Sequence, residues 1–211
     1  IPDDIRDYTR VYLDGKEQML SQWPNGDFNF STFTPVSAGG MGKSGKGGSF
    51  KYENTQRPSR WKMANDIVIS GFLGINFTGD SVPVASVDTD KSEILLKYGT
   101  SYGVKSCPTR RWKAINLLEE IDSPGEWYID RDNMLLYYYP LYGLQNSVME
   151  ISDFGKNLFE LDGVSNLTFK GIKFSEFCGG IFTQNSNKDK PLENFTIDHC
   201  DFENIGGSVL T

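Results

Sequence analysis

A repeat near the C-terminal end of the sequence constrains the fold more than any other feature. The segment Asn166–Phe174 aligns with Asn194–Phe202 at an offset of 28 residues; each begins Asn-apolar-Thr-apolar and reaches a Phe eight residues later. Further back, Phe159 aligns with Ile181 at an offset of 22, and the difference fits one polar insertion around 186–191. Internal repetition at a period of about 20–50 residues is typical of a solenoid.

Within the repeat, polar and apolar residues alternate as they do in a strand. One face carries the apolar side chains Leu167, Phe169, Ile172 and Phe174, and the other carries Thr168, Lys170 and Lys173. Coils of about 22 residues with short strands, Gly-Gly turns and Asn corners are typical of a right-handed parallel β-helix. Stacking of two coils predicts three inward-facing pairs: Ile172 with Cys200, Phe174 with Phe202, and Phe169 with Ile197.

The residues before the repeat predict further strands. The candidates are Ile67–Leu73, Ser81–Asp88, Glu93–Tyr98, Trp127–Asp130 and Met134–Pro140, with the last two joined through Asp132-Asn133 as a hairpin. Ala114–Ile121 is predicted to form a short helix. Strands at a spacing of about 8–12 residues favour a β-sandwich. We therefore predict an all-β chain with three parts: opening strands of the β-helix (1–24), an inserted β-sandwich-like domain (25–150) and parallel β-helix coils (151–211).

A Gly-rich segment, Ser37–Ser49, resembles a phosphate-binding loop of nucleotide-binding ATPases. Such a loop needs a helix N-terminus directly after it, so that backbone amides point at the phosphates. Here Gly45, Gly47 and Gly48 follow, and these residues disfavour a helix. The segment is therefore predicted to be a flexible surface loop that binds no nucleotide.

Charge and composition exclude several classes of partner. The formal net charge is -7 and the pI about 4.8, which argues against nucleic acid because phosphates would be repelled. No apolar run approaches the about 20 residues that span a bilayer. The cysteines Cys107, Cys178 and Cys200 lack metal-ligand spacing, so neither a metal nor a cofactor is predicted. Cys200 aligns with Ile172 and is predicted to be a core thiol rather than the disulfide partner of Cys178.

Four sequons for N-glycosylation predict a secreted or extracellular glycoprotein. Their acceptors are Asn29, Asn76, Asn166 and Asn194. The alternative for Asn166 and Asn194 is structural, because they occupy one repeat position and Asn favours corners. Ile1-Pro2 is an unusual start, so we expect that an upstream segment was removed. The one histidine, His199, aligns with Gly171 and is predicted to lie at a strand bend.

Two segments carry a family resemblance. The stretch Asn116–Arg131, with Pro-Gly-Glu-Trp-Tyr at its centre, and the stretch Leu135–Pro140 resemble right-handed parallel β-helix carbohydrate-active proteins. These include glycoside hydrolase family 120 β-xylosidases and related families. The segments Val11–Lys16 and Gln22–Asn25 are similar to them as well. The resemblance implies a β-sandwich-like domain inserted in the early coils, and a carbohydrate partner.

No catalytic residue of that family matches a position in this sequence, because relatives carry their catalytic carboxylates in later coils. A glycosidase needs two carboxyl groups about 5–10 Å apart. The candidates on outward positions are Asp198, Asp201 and Glu203; the alternative for the aspartates is a charge ladder, Asp198 over Lys170 and Asp201 over Lys173. Trp23 and Trp61 are candidates for stacking on sugars. The glutamates of the resembling segment, Glu119, Glu120 and Glu126, are interpreted as solvated or capping.

Two functions remain open from the sequence. The first is the N-terminal portion of a secreted carbohydrate-active protein, a glycoside hydrolase acting on plant or microbial polysaccharide or oligosaccharide. The second is a non-catalytic structural or adhesion protein whose open coil end stacks on a partner chain. Both predict that the last coil is covered, either by further C-terminal coils or by another chain, since an uncovered strand edge invites pairing. Whether the parent protein is an enzyme is not decided by these residues.

Overall fold

The computed structural model describes residues 9–26, 33–53, 57–61, 66–105, 111–153, 157–184 and 191–210. The described chain is all-β, as predicted, with two single-turn 3₁₀ helices at Pro58–Arg60 and Leu118–Glu120. It divides into two compact units. The central unit is Met19–Gly143, and the coil unit is Ile1–Gln18 together with Leu144–Thr211. Within the described ranges, no helix is long and apolar enough to cross a membrane.

The central unit is built on one seven-stranded antiparallel sheet. Its strands are β4 (Gln22–Trp23), β5 (Phe33–Ser37), β6 (Ser49–Tyr52), β7 (Val68–Ile75), β8 (Thr78–Asp88), β9 (Glu93–Leu96) and β10 (Trp112–Ile115). Their spatial order is β4-β10-β7-β8-β9-β6-β5. The first half of β8 pairs with β7 and the second half with β9. Pro83 lies where β8 stops pairing with β7 and starts pairing with β9. Proline lacks a backbone N–H, and it is tolerated in a strand at such an irregular position.

A second sheet of the central unit has the order β12-β11-β3. Its strands are β3 (Met19–Leu20), β11 (Glu126–Asp130) and β12 (Leu135–Tyr138). The predicted hairpin is confirmed: β11 and β12 are antiparallel, and the Asp130 carboxylate accepts the backbone N–H of Asn133 at 3.0 Å in the turn. β3 joins the other side of β11 in parallel.

The core of the central unit combines inward residues of the seven-stranded sheet with buried residues of the connecting segments. It is aromatic at its centre, where Phe50 and Trp112 are fully buried with ring centroids 5.3 Å apart at 61°. Such edge-to-face pairs add to the stabilisation from burial itself. The buried members are Phe50, Tyr52, Trp61, Ile67, Ile69, Leu73, Val82, Ile94, Leu96, Val104, Trp112, Ala114 and Leu117.

The predicted helix at Ala114–Ile121 is wrong. Its first residues belong to β10, which pairs with β7, and only Leu118–Glu120 forms one 3₁₀ turn. Asn116 separates the two elements with a positive φ of 64°, a backbone conformation that ends a strand and that Asn tolerates. Long-range pairing with β7 therefore overrode the local helical tendency.

The Gly-rich segment Ser37–Ser49 lies at the surface, as predicted, because most of its residues before Gly47 are exposed. Its glycines nevertheless make close backbone contacts. A Cβ on Gly47 would lie 1.7 Å from the carbonyl oxygen of Leu96, and one on Gly99 would lie 2.3 Å from the carbonyl oxygen of Gly40. The glycines thus let two backbone segments touch. Strand β6 follows the loop, and a strand supplies no row of helix amides for a phosphate.

The coil unit opens with a small antiparallel sheet of order β13-β1-β2. Its strands are β1 (Arg10–Leu13), β2 (Lys16–Glu17) and β13 (Met149–Ser152). The turn between β1 and β2 is Asp14-Gly15, with φ of 50° and 73°. Two consecutive positive φ values match a turn whose twist suits a two-residue hairpin, and Asp-Gly is a favoured pair there.

Three parallel two-stranded sheets form the rest of the coil unit. They pair β14 (Phe159–Leu161) with β17 (Phe182–Gln184), β15 (Thr168–Lys170) with β18 (Thr196–Asp198), and β16 (Lys173–Phe177) with β19 (Asp201–Ile205). A further parallel bridge joins Phe182 to Leu210. The predicted registers at Phe169–Ile197 and Phe174–Phe202 are confirmed. Ile197 was also expected to face inward, but it is 36% exposed.

Two further details of the predicted stacking are wrong. Phe159 lies opposite Phe182 rather than Ile181, because the two rings stack at 5.3 Å and 17°. Ile172 was expected inside with Cys200 but is 39% exposed, although Cys200 does pack against the core. Phenylalanines dominate that core: Phe159, Phe169, Phe174, Phe182, Phe195 and Phe202 make ring contacts with one another.

Corners of the coils repeat with the strands. Asn166 and Asn194 both have positive φ, 59° and 52°, and the Asn194 amide donates to the Asn166 side-chain oxygen at 2.9 Å. The predicted corner at Gly171 and His199 is confirmed, with φ of 64° and 51°. A third pair of positive φ, 58° and 54°, occurs at Glu176 and Asn204. Left-handed corners therefore recur at matched positions of the two coils.

Candidate functional site

The candidate carboxylates of the coil unit lie on the outer faces of the parallel sheets. Asp198 pairs with Lys170 at 2.8 Å across β15 and β18, as the ladder alternative predicted. It also contacts the ring of His199. The ammonium of Lys170, followed by the His199 ring, lowers the pKa of Asp198. A general acid needs a raised pKa, so this pairing suits a structural ladder better than proton donation.

The second rung of the ladder differs from the prediction. Asp201 is opposite Lys173 in register, yet the Lys173 ammonium pairs with Glu203 at 2.6 Å. Residues 201 and 203 point to the same side of β19, and a lysine side chain is long enough to reach the diagonal neighbour. The hydrogen bond to Glu203, with its charge, raises the pKa of Lys173. All three candidates are thus exposed or half-exposed groups on an open sheet face.

The sugar-stacking candidates lie in the central unit. Trp61 is only 6% exposed, and its Nε1 donates to Glu120 at 2.7 Å. Trp23 is partly buried, edge-on to Trp61 at 6.0 Å and to Trp112 at 5.5 Å. These rings are packed against one another and leave little free face for a sugar, so the structure places them with the core.

A buried carboxylate, that of Glu120, organises the same region. It is fully buried, and Arg57 donates to it from Nε and Nη2, each at 2.9 Å. Arg57 also contacts Asp122. The interpretation of Glu120 as solvated is therefore wrong: the charge is paired and hydrogen-bonded, the condition under which a carboxylate can be buried.

Glu126 is the second buried carboxylate, 1% exposed. Its Oε2 accepts the backbone N–H groups of Asp122 at 2.9 Å and Ser123 at 2.8 Å, which confirms the capping interpretation. Burial raises the pKa of Glu126, and these two N–H groups oppose that change without cancelling it. Glu126 thereby fixes the Asp122–Glu126 turn that carries the Pro-Gly-Glu-Trp-Tyr motif.

The sequons have different surroundings. Asn76 is exposed in the turn between β7 and β8. Asn166 and Asn194 form the side-chain ladder of the coil corners. Asn29 lies outside the described residues.

Metal and thiol chemistry can be assessed for the described part of the chain. There, no group of three or more His, Cys, Asp or Glu side chains is arranged to hold a metal ion. Cys178 and Cys200 are free thiols, as the repeat alignment predicted. Cys107 lies outside the described residues.

An exposed aromatic pair was missed by sequence reasoning. Phe77 and Tyr102 are 80% and 40% exposed, with ring centroids 6.0 Å apart. A signal for Phe77 was present in the sequence: it is an aromatic residue between the predicted strands Ile67–Leu73 and Ser81–Asp88, where apolar side chains are unusual.

Comparison with known proteins finds one informative likeness. No family model matches the sequence, and no curated protein matches it. A solved structure described as "Glycoside hydrolase" superimposes with a TM-score of 0.56 at 12% sequence identity. The match covers 92% of this chain and 30% of that one, so this chain spans less than a third of the neighbour's length. The two proteins share a fold.

Proposed function

We propose that these residues are the N-terminal portion of a secreted, carbohydrate-active β-helix protein, a glycoside hydrolase acting on plant or microbial polysaccharide or oligosaccharide. The observation that carries the proposal is the fold shared with a glycoside hydrolase over 92% of this chain. The segment Asn116–Arg131, which resembles family 120 β-xylosidases, independently favours the same class. Because a fold hosts several activities, the substrate must be tested directly.

The proposed architecture is a right-handed parallel β-helix with an inserted β-sandwich-like domain. Parallel pairing of β14, β15 and β16 with β17, β18 and β19 supports it. So do the stacked rings of Phe174 and Phe202, at 5.2 Å and 13°, and the recurrent left-handed corners. Repeat proteins of this kind bury a continuous core only when neighbouring coils stack.

The catalytic carboxylates are proposed to lie outside these residues. Asp198 and Glu203 are each paired with a lysine of the preceding coil, which suits a stacking ladder. The match covers only 30% of the neighbouring glycoside hydrolase, so more than twice the matched length of that chain lies outside the match. Carboxylates held about 5–10 Å apart in further coils would provide the acid and the second carboxylate.

The test uses the whole natural protein that contains this sequence. It should release sugar from aryl β-xylosides, or from one polysaccharide of a plant and microbial panel, measured by chromatography of the products. Asp198→Asn and Glu203→Gln should keep that activity, because these side chains serve the ladder. A protein that hydrolyses nothing in the panel, yet assembles into larger particles by light scattering, would favour the structural or adhesion alternative instead.

Secretion and glycosylation are part of the proposal and need their own test. The supporting feature is the sequon at Asn76, whose side chain is exposed in a hairpin turn. Protein recovered from its natural source should be found outside the cell, and mass spectrometry of its peptides should show whether Asn76 carries a glycan. Recovery only from the cell interior would contradict this part of the proposal.

A further inference from the structure

The tip of the β7–β8 hairpin presents two aromatic rings to solvent. Ile75 pairs with Thr78, so the turn consists of Asn76 and Phe77. Phe77 is 80% exposed, and the ring of Tyr102 stands edge-on to it at 66°, with centroids 6.0 Å apart. The two rings therefore meet edge to face, and both are accessible to solvent at the hairpin tip.

The loop that carries Tyr102 is held rigidly against the hairpin. The Asp80 carboxylate accepts the backbone N–H of Ser101 at 2.9 Å and its hydroxyl at 2.7 Å. A Cβ on Gly74 would lie 2.7 Å from the Cβ of Tyr102, so only glycine allows this approach. Farther along, Lys105 donates its backbone N–H to the Leu73 carbonyl at 3.0 Å. The exposed ring therefore sits on a fixed backbone, and preorganisation of this kind reduces the entropy lost on binding.

We propose that Phe77 and Tyr102 form a binding platform for an uncharged oligosaccharide. The inference rests on the proposed carbohydrate-active function and adds a binding site in the central unit. A pyranose ring has an apolar C–H face that can lie on an aromatic ring and a rim of hydroxyls that need hydrogen-bond partners. The Asp80 carboxylate and the Ser101 hydroxyl, next to Tyr102 in the loop, can supply such partners.

Charge and size argue for this ligand over others. The carboxylate of Asp80 beside the rings and the net charge of -7 disfavour an anionic glycan. Two aromatic side chains bury at most about 500 Å², well below the about 1,200 Å² of a stable protein interface. A small neutral sugar segment matches the available area, whereas a second protein would need far more.

The experiment measures binding of the purified 211-residue chain, made in a host without N-glycosylation so that Asn76 stays unmodified. Native affinity electrophoresis in gels containing xylan, arabinoxylan, mixed-linkage glucan or glucomannan gives a dissociation constant for each polysaccharide. We expect retardation by at least one of them, and about tenfold or greater weakening in Phe77→Ala and in Tyr102→Ala. The control is Tyr139→Ala, which removes a tyrosine of similar exposure, 44%, from the position directly after β12 and should not change binding.

Each outcome decides the proposal separately from the proposed function. If the wild type and both platform variants bind a polysaccharide equally well, the proposed binding platform is wrong. The protein would still bind carbohydrate, but at another site. If the wild type binds none of the four polysaccharides, the proposed binding platform is also wrong. The proposed glycoside hydrolase function would still be tested separately, by hydrolysis with the whole protein. If the wild type forms concentration-dependent dimers and Phe77→Ala abolishes them, the two rings bind a second copy of this chain instead of a sugar. Circular dichroism should show all variants folded, because the replaced rings are exposed.

Discussion

Glu126 shows at the residue scale how burial and hydrogen bonding act against each other on one carboxylate. Burial raises its pKa, while the backbone N–H groups of Ser123 and Asp122 favour the charged form. The net result is a pKa above the ordinary glutamate value. The protonated form is therefore favoured in the folded state relative to the unfolded state.

This shift predicts a pH-dependent stability. The contribution of Glu126 to the free energy of unfolding is fully present below the pKa that this side chain has in the unfolded chain. It is lost as the pH rises through the higher pKa that the side chain has in the folded protein. In Glu126→Gln, the amide oxygen can accept the same two N–H groups, and nothing titrates. The unfolding free energy of the variant minus that of the wild type should therefore increase as the pH rises. Urea unfolding of both proteins from about pH 4 to 8 measures this; a difference that stays constant or grows the other way would contradict it.

Arg57 and Glu120 give a second prediction for single residues. Glu120 is fully buried, and Arg57 is its charge partner. Arg57→Met would leave the carboxylate buried and unpaired, which costs about 3–5 kcal/mol. The exposed neighbour Arg60 serves as the control, because Arg60→Met should change stability by less than about 0.5 kcal/mol. Urea denaturation that gives equal values for the two variants would mean that Glu120 finds another partner.

The sequence could not reveal these two buried glutamates. Arg57 and Glu120 are 63 positions apart, and neither belongs to a pattern that brings them together. Glu126 follows a Pro-Gly turn, so its capping role was readable, but its full burial depends on strands that pair on both sides of it. Residue-level electrostatics thus needed the tertiary structure.

At the scale of elements, the phenylalanine stack of the coils is the main source of packing. Phe174 is 6% exposed and stacks on Phe202 at 5.2 Å. Phe174→Ala should cost about 3–5 kcal/mol, because it removes a buried ring and leaves a cavity. The matched control is Ile172→Ala, two residues away and 39% exposed, which should cost far less. Similar losses for both variants in urea unfolding would show that Phe174 does not hold the coils together.

The repeat predicted the strand register correctly where its period was regular and wrongly where the period changed. At the constant offset of 28 residues, Asn166 and Asn194 form the corner ladder, as their alignment suggested. Before the polar insertion the period shifts, and there the alignment of Phe159 was wrong by one residue. The helix expected at Ala114–Ile121 failed for another reason: β7 supplies a pairing partner that local sequence does not show.

At the scale of the whole molecule, each sheet lies within one of the two units. The seven-stranded sheet and the sheet of β3, β11 and β12 lie wholly within Met19–Gly143. So does the buried core around Phe50 and Trp112. A segment with its own core and complete strand pairing has the properties of an autonomous domain.

Residues 19–143 made on their own should therefore fold. We expect a β-type circular dichroism spectrum and one cooperative urea transition, with a slope of about 1–3 kcal/mol per molar urea. Trp112 provides the probe, since its ring is fully buried and its fluorescence should shift on unfolding. As a control, Trp112→Ala in the same segment should abolish the transition seen by circular dichroism, because deleting a buried aromatic ring costs about 3–5 kcal/mol. A gradual, non-cooperative loss of signal in the parent segment would show instead that the central unit needs the coil unit to fold.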